Sequence, residues 1–180
     1  MGIGKLTLAV ADAGPLVHLS EIGCFSHLRI FDVLHIPDTV WSETVEQDRV
    51  PQGDVLGLGV VQRHTLSPSE VSCFVAENGL EDLHNGECEC LYLCQQLGVS
   101  VILTDDLAVR EAAKNLSLTP VGSLGIVVRA YRLGCVPLAE AERQIIDLYD
   151  VSSLFVTRTI VELAIDQLRQ QSAQDSCGVL

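Results

Sequence analysis

The chain has 180 residues, 48% of them hydrophobic and only 4% aromatic, which suits one domain of helices packed on a buried parallel sheet. Its formal net charge of -13 excludes a broad basic surface for nucleic acid, so a phosphate-handling site would need positive charge from a metal ion or a basic partner. Seven cysteines without a repeated C-x-x-C pair argue against a disulfide framework and a zinc ribbon.

The N-terminal stretch "MGIGKLTLAVADAGPLVHL" has an apolar run that Asp12 and Pro15 interrupt. No small-residue cleavage site follows it, and no apolar run in the chain approaches the ~18 residues of a membrane span. We therefore expect a cytoplasmic protein. We also expect a single domain over residues 1–171 and a flexible C-terminal tail over residues 172–180.

The first half of the chain predicts alternating strands and helices. "KLTLAVAD" is typical of a buried strand that ends at Asp12, and "GPLVHLSEIG" of a helix with Pro15 in its first turn. The strand "VLHIP" leads into the helix "DTVWSETVEQ", with Asp38 as its expected N-cap. "GDVLGLGVVQRHTL" predicts a strand with loops, and "SPSEVSCFVAENG" a short helix that Gly79 closes.

The second half continues the alternation. A helix from Gly86 to Leu97 precedes the strand "VSVILTDD" and the helix "LAVREAAKNL". "LTPVG" predicts a fifth strand, and "SLGIVVRAYRLG" a further helix. "PLAEAERQIIDLYD" and "TRTIVELAIDQLRQQ" predict amphipathic helices that cover the sheet. Repeated strand and helix units of this kind favour the α/β class with a central parallel sheet.

Acidic residues follow two of these strands and begin two of the helices. Asp12 and the pair Asp105 and Asp106 come directly after apolar strands. The carboxyl ends of parallel strands lie along one edge of the sheet, and ligands bind there where the strand order reverses. Glu43 and Glu87 come early in helices that start at the same edge. We therefore expect these acids to converge on one site.

The helical wheel separates the two glutamates of "NGECECLYLC". Relative to Glu87, Cys90, Leu91 and Cys94 are at i+3, i+4 and i+7, which places Glu87 in line with an apolar stripe. Glu89 lies about 200° away, on a side expected to face solvent. Glu43, three residues after Val40, is expected on an inward face.

Carboxylates on a buried face must share protons or bind cations. A pocket of oxygen ligands selects a hard divalent ion such as Mg²⁺ or Mn²⁺ over zinc. Cys90 and Cys94 have the i, i+4 spacing of a soft-metal pair, but no matching His or Cys motif accompanies them. Core packing is the better interpretation of these two cysteines.

The order of motifs resembles the PIN-domain family, in its prokaryotic branch close to VapC-type toxin ribonucleases. The resemblance runs from about Leu8 to about Leu168. It rests on "VADAGPL", "VWSETV", "NGECECLYLCQQLG", "VILTDDLAVREAA" and "TPVGSLGIVVRAYRLGCV", taken in that order. It implies a three-layer α/β/α sandwich and a metal-dependent ribonuclease with Mg²⁺ or Mn²⁺. It also implies RNA as substrate, an antitoxin protein as partner, and a homodimer.

Carried over by position, the resemblance gives catalytic and metal-binding roles to Asp12, Glu43, Glu87 and Asp106, with Asp105 as a neighbouring metal ligand. Asp106 matches the T-x-D pattern after the fourth strand. The family commonly has Ser, Thr or Asn two residues after the first aspartate, where this chain has Gly14. The implied reaction is phosphodiester hydrolysis by an activated water, which leaves a 5′-phosphate and a 3′-hydroxyl.

Each of these residues also has a structural interpretation. Asp12 and Asp105 could cap the helices that follow them, Glu43 could be an exposed helix residue, and Thr104 could be an ordinary strand residue instead of a support for a ligand. Of the five histidines, only His84 is expected near the site. The basic residues on the later helices could contact RNA phosphates or could line solvated faces; they are Arg110, Lys114, Arg129 and Arg132.

Two functions therefore stay open. The first is a ribonuclease, and the second is a PIN-like protein-binding module with a weak or absent metal site. Phosphatases of the haloacid-dehalogenase type and response-regulator receivers fit less well. The phosphatases require a second aspartate at the position of Gly14. The receivers require an acidic pair after the first strand, whereas Asp105 and Asp106 follow a late strand.

Overall fold

A five-stranded, entirely parallel sheet forms the centre of the protein. The structure, a computed structural model, describes residues 7–177. The strands are β1 (Leu8–Ala11), β2 (Val33–Pro37), β3 (Val61–His64), β4 (Val101–Leu103) and β5 (Thr119–Val121). Their order across the sheet is β3-β2-β1-β4-β5, and every neighbouring pair is parallel. The predicted parallel sheet is confirmed.

The strand order reverses between β1 and β4. From β1 the chain moves outward to β2 and β3, then crosses back to place β4 on the other side of β1. Ala11 pairs with Leu103 at the carboxyl ends of the two strands, and the next amide, that of Asp12, donates to the Leu103 carbonyl at 2.9 Å. Residues that follow β1 and β4 therefore meet at the point where α/β sheets bind ligands.

Helices connect the strands and cover both faces. The α-helices are α1 (Ala13–Glu21), α2 (Asp38–Trp41), α3 (Gln52–Gly57), α4 (Pro68–Asn78), α5 (Asn85–Leu97), α6 (Leu107–Asn115), α7 (Ser123–Arg132), α8 (Leu138–Asp150) and α9 (Arg158–Cys177). A 3₁₀ segment (Phe25–Ile30) precedes β2, and a π-helical turn (Ser42–Glu46) continues α2. None of the helices within residues 7–177 is both long and apolar enough to cross a membrane.

The chain adds β2 and β3 on one side of β1, and β4 and β5 on the other, so the connecting helices lie on opposite faces of the sheet. Parallel crossovers are almost always right-handed, so α1, between β1 and β2, and α6, between β4 and β5, cover different sides. Helix α5 packs on β1, β2 and β4, while α7 packs on α1 and α8, and α8 on α9. The result is the expected three-layer α/β/α sandwich.

The core explains why the central strands read as continuous apolar runs. Ala9, Val10 and Ala11 of β1 are buried, as are Ile102 and Leu103 of β4. Both faces of these strands are covered by helices, so neither face alternates with polar residues. The first polar side chains along β1 and β4 occur where the strands end, at Asp12 and Thr104, and both are buried.

Three local expectations differ from the structure. Asp38 does not cap α2, because its carboxylate binds Arg63 and Thr65 at the end of β3. Part of the segment predicted as strand and loops forms helix α3 before β3 begins. Helix α9 continues through residues 172–177 of the segment predicted as a loose tail, and residues 178–180 lie outside the described part of the chain.

Candidate active site

Asp12 lies at the end of β1 and is 7% exposed. Its Oδ1 accepts the amide of Ala13 at 2.7 Å, and its Oδ2 accepts the hydroxyl of Thr104 at 3.0 Å. Burial raises the pKa of Asp12 to about 6, against these two hydrogen bonds, and the charges of Glu87 and Glu43 raise it further. Asp12 therefore caps α1 with one oxygen and faces the other acids in a site that disfavours its negative charge.

Glu43 projects from the π-helical turn that continues α2. The wide turn inserts an additional residue per turn, which changes the direction of the side chains that follow the α-helical part. Glu43 is half-buried, and burial, followed by the charges of Glu87 and Glu89, raises its pKa. Its Oε2 lies 3.2 Å from the point that a Cβ on Gly86 would occupy. The absence of a side chain at Gly86 thus leaves room for the Glu43 carboxylate.

Glu87 lies in the first turn of α5. As predicted, Cys90, Leu91 and Cys94, on the same stripe of the helix, are buried. Oε2 of Glu87 accepts the amide of His84 at 2.8 Å, which forms a capping box at the helix start. The Glu87 side chain is 15% exposed and that of His84 is 91% exposed. Glu87 combines a helix-capping role with a position beside Asp12 and Glu43.

The prediction that Glu89 faces solvent is wrong. Glu89 is half-buried, and its Oε1 accepts the hydroxyl of Thr39 at 2.8 Å and the amide of Asn85 at 3.1 Å. The N-terminus of α2 packs against this side of α5, so the helix is covered on two sides. The charge of Glu89 also acts on Glu43, which places it at the margin of the cluster.

The two aspartates after β4 point in different directions. Asp105 is half-buried, and its carboxylate accepts the backbone amide and the hydroxyl of Ser123, at 2.8 and 2.5 Å, and Nδ1 of His18 at 2.8 Å. Asp106 is exposed and caps α6, where its Oδ1 accepts the amides of Ala108 and Val109. The Asp105 carboxylate thus accepts three internal hydrogen bonds, whereas Oδ2 of Asp106 has no hydrogen-bond partner among residues 7–177.

The structure therefore brings three of the five predicted acids into one electrostatic group. Beyond the larger effect of burial, the charges of Glu87 and Glu43 raise the pKa of Asp12, and the charge of Glu87 raises the pKa of Glu43. Neither Asp105 nor Asp106 is among the causes of the raised pKa of Asp12. Among residues 7–177, no three His, Cys, Asp or Glu side chains are already arranged as a formed metal site. Binding an ion would therefore require these side chains to rotate.

The donor chemistry of the group fits a hard divalent cation. Its atoms are carboxylate oxygens, and a cation would offset both the burial and the carboxylate repulsion that raise the pKa of Asp12. The thiol of Cys90, at the end of β1, is fully buried and donates to the Ala11 carbonyl at 3.5 Å. Burial raises the pKa of the Cys90 thiol well above its usual value. A thiolate ligand for zinc is therefore disfavoured.

A family model described as a PIN domain matches residues 8–170. The chain belongs to the PIN-domain family. Comparison with curated proteins and with solved structures gives no match. Members of this family have a nuclease-type fold, are generally nucleases, and typically use divalent metal ions.

In this PIN domain His18 also lies beside a predicted site residue, so the expectation that only His84 lies near the site is wrong. Nδ1 of His18 lies 2.8 Å from Oδ2 of Asp105. A signal for this placement exists in the sequence. His18 follows Gly14 by four residues, so both lie on the face of α1 that turns toward the residues after β4.

Among the residues that the structure describes, Arg49 and Arg110 border the acids of the PIN domain. Arg110 donates through Nη1 to the Thr104 carbonyl at 3.2 Å, and the charge of Arg49 lowers the pKa of Glu43. Arg129 stacks over Phe31 at 5.3 Å, and Arg132 binds Gln171 at 2.7 Å. Of the arginines predicted as RNA contacts, Arg110 is adjacent to the site, while Arg129 and Arg132 make structural contacts. Arg49 was missed because it lies in a turn without a recognisable pattern.

Proposed function

We propose that this PIN domain is a metal-dependent endoribonuclease that hydrolyses phosphodiester bonds in RNA with Mg²⁺ or Mn²⁺. The observation that carries the proposal is the grouping of Asp12, Glu43 and Glu87 where the strand order reverses. There burial and mutual repulsion raise the pKa of Asp12 to about 6. Such a shift at the ligand-binding edge of an α/β sheet is typical of functional acids.

Asp12, Glu43 and Glu87 would hold the cation, with Asp106 as a fourth ligand through its unoccupied Oδ2. The cation supplies Lewis-acid activation of a phosphodiester and of water. Asp105, whose oxygens already accept three hydrogen bonds, would support the site instead of binding the ion directly. No side chain in the group is placed as a covalent nucleophile, so we infer direct attack by water.

The protein's own residues prepare the site in two ways. Thr104 fixes one oxygen of Asp12 and also accepts the amide of Asp106 at 3.3 Å, which ties the first acid to the loop that carries the last one. Arg49 and Arg110 supply positive charge beside an otherwise acidic site. They could contact the phosphates of an RNA strand, which the net charge of -13 would otherwise repel.

The test is cleavage of single-stranded RNA by the wild type and by Asp12→Asn, with Mg²⁺ or Mn²⁺ and with EDTA. We expect metal-dependent cleavage by the wild type and a loss of at least about 10²-fold in the variant. Equal cleavage by both proteins would point to a contaminant or to a different site.

A second candidate function is a PIN-like protein-binding module with little or no metal binding. It is favoured by the internal hydrogen bonds that Asp12, Glu87 and Asp106 make and by Gly14 in place of a hydroxyl residue. Exposed apolar side chains on and between α8 and α9 also favour it, with Phe155 97% and Leu163 58% exposed. We propose these helices as the region that would contact an antitoxin or a second copy in a homodimer.

Titration with Mn²⁺ distinguishes the two functions. A cation that binds only the folded state raises the thermal midpoint by mass action, so the ribonuclease should be stabilised at millimolar Mn²⁺. The protein-binding module should show no shift. A role as the toxin of a toxin–antitoxin pair, and a cytoplasmic location with its RNA substrate, remain part of the first proposal.

A further inference from the structure

His18 is held by a carboxylate through one of its two ring nitrogens. Nδ1 lies 2.8 Å from Oδ2 of Asp105, and Ser123 fixes that carboxylate through its amide and its hydroxyl. A carboxylate only accepts hydrogen bonds, so in the neutral imidazole Nδ1 carries the proton and Nε2 presents a lone pair. Two helices, α1 and α7, thus define the orientation of the ring.

The second nitrogen of His18 has no partner among the residues that the structure describes. The side chain is 13% exposed, and no fully buried polar side-chain atom in the described part of the chain lacks a hydrogen bond. Nε2 is therefore accessible from outside the protein. An oriented imidazole with a free, accessible acceptor resembles the half of a catalytic dyad that faces the substrate.

Gly14 opens the space in front of this ring. A Cβ on Gly14 would stand 3.6 Å from Cε1 of His18 and 3.6 Å from Oδ2 of Asp105. Cε1 is bonded to Nδ1, and Nδ1 pairs with Oδ2, so the space left by the missing side chain borders the His18–Asp105 pair. Gly14 lies in the first turn of α1, two residues after Asp12. The space therefore adjoins the end of the helix that Asp12 caps.

We propose that Nε2 of His18 accepts a hydrogen bond from a hydroxyl at the scissile position. That hydroxyl belongs to the attacking water or to the ribose 2′-position, and the role needs no change in the protonation of His18. The proposal rests on the proposed ribonuclease function and adds a substrate-contacting residue to it. Asp105 and Ser123 then act as positioning residues for the ring.

Two substitutions separate this role from a purely structural one. In His18→Asn the amide reproduces the Nδ1 donor to Asp105 but has no acceptor at the Nε2 position. In His18→Gln the longer side chain can place an acceptor near the Nε2 position. We expect His18→Asn to lower kcat about 10- to 100-fold with little change in KM, and His18→Gln to retain more activity.

A structural role predicts the opposite order. If His18 serves only to hold Asp105, His18→Asn should cleave RNA at the wild-type rate and His18→Gln should be the impaired variant. That result would overturn the proposal. Thermal midpoints show whether each variant is folded. If His18→Asn does not fold, Ser123→Ala is compared with a folded His18→Ala variant instead. Ser123→Ala weakens the support of Asp105 but keeps the imidazole ring. The proposal therefore requires Ser123→Ala to retain more activity than His18→Ala.

The source of the hydroxyl is found with an RNA that carries a single 2′-deoxynucleotide at the scissile position. If the 2′-hydroxyl is the donor, the wild type cleaves this RNA more slowly and His18→Asn adds no further loss. If water is the donor, His18→Asn lowers the rate equally on both RNAs. If the wild type shows no cleavage that depends on Asp12, the ribonuclease function is overturned together with the role of His18. Wild-type cleavage with an equally active His18→Asn would overturn the role of His18 alone.

Discussion

Thr104 donates its buried hydroxyl to Oδ2 of Asp12 at 3.0 Å, across the boundary between β4 and β1. The same hydroxyl oxygen accepts the amide of Asp106 at 3.3 Å. One side chain therefore connects the first acid of the PIN domain to the loop that carries the last. Because Asp12 is buried and its burial opposes ionisation, loss of the Thr104 hydroxyl should lower the stability of the fold and weaken metal binding.

We predict that Thr104→Val lowers the free energy of unfolding by about 1–2 kcal/mol, because it leaves a buried acceptor of Asp12 without a partner. It should also weaken Mn²⁺ binding about 10- to 100-fold, as substitutions behind metal ligands do. Urea denaturation and an Mn²⁺ titration of the thermal midpoint measure the two effects. Thr104→Ser keeps the hydroxyl and serves as the matched control. A valine variant that equals the wild type in both measurements would contradict this role.

The raised pKa of Asp12 predicts an unusual pH dependence of stability. Its pKa is about 6 in the folded protein and 3.8 in the unfolded chain, so the folded state holds the proton more tightly. Between these values stability falls as pH rises, because the folded state binds more protons than the unfolded state. The stabilisation is fully present below pH 4 and is lost above pH 6, a difference of about 3 kcal/mol.

Asp12→Asn removes this dependence. Without divalent metal, we expect the variant to be more stable than the wild type at pH 7.5 by up to about 3 kcal/mol and to show no gain at pH 4. Thermal unfolding in EDTA across pH 4 to 8 measures the difference. Asp54→Asn, at an exposed position on α3, is the control and should follow the wild type. A gain of equal size at pH 4 and pH 7.5 would assign it to a cause other than ionisation.

The parts of the fold and site with a regular period could be predicted from the sequence. Asp12 and Asp106 follow strands whose apolar runs mark their ends, and the stripe of Cys90 and Cys94 placed Glu87 correctly toward the interior. The rule that parallel strands share a carboxyl edge also predicted that Asp12 and the loop that carries Asp106 lie close together, where Thr104 connects them.

Other features depended on contacts between distant residues. The local sequence predicts Asp38 as an N-cap, but its carboxylate instead accepts hydrogen bonds from Arg63 and Thr65, which lie in and directly after β3. The π-helical turn that orients Glu43 has no period of its own in the sequence, and its backbone is closed by amides of Arg49 and Val50 that donate to the Thr44 carbonyl. A local pattern cannot anticipate partners of this kind.

Gly86 provides a test of how Glu43 reaches the site. Gly86→Ala adds a Cβ that would stand 3.2 Å from Oε2 of Glu43, so the carboxylate must move. Alanine also favours the helix by up to about 1 kcal/mol. We therefore expect nearly unchanged stability without metal and a smaller stabilisation by Mn²⁺, measured by thermal midpoints. Gly53→Ala on α3 meets no atom within 4 Å and is the control, with no change in its response to Mn²⁺. An equal response in Gly86→Ala would show that Glu43 is not a ligand.

Glu87 has two roles that different substitutions can separate. In Glu87→Gln the amide oxygen can still accept the amide of His84, so the capping box is kept. Glu87→Ala removes it and should cost about 1 kcal/mol in the free energy of unfolding. Both variants should lose stabilisation by Mn²⁺ and RNA cleavage, because neither carries the charge. If Glu87→Gln keeps metal-dependent cleavage, the role of Glu87 is confined to capping.

The two aspartates after β4 should respond in opposite ways to replacement by asparagine. Asparagine caps a helix about as well as aspartate, so Asp106→Asn should change stability by less than about 0.5 kcal/mol and should lose much of the stabilisation by Mn²⁺. Asp105→Asn replaces one accepting oxygen by a donor that faces His18 and Ser123. It should therefore cost about 2 kcal/mol, the value of hydrogen bonds to a charged group. Urea denaturation in EDTA, followed by Mn²⁺ titration, measures both quantities. The reverse pattern, with Asp105→Asn stable but unresponsive to Mn²⁺, would make Asp105 the metal ligand and Asp106 only the cap of α6.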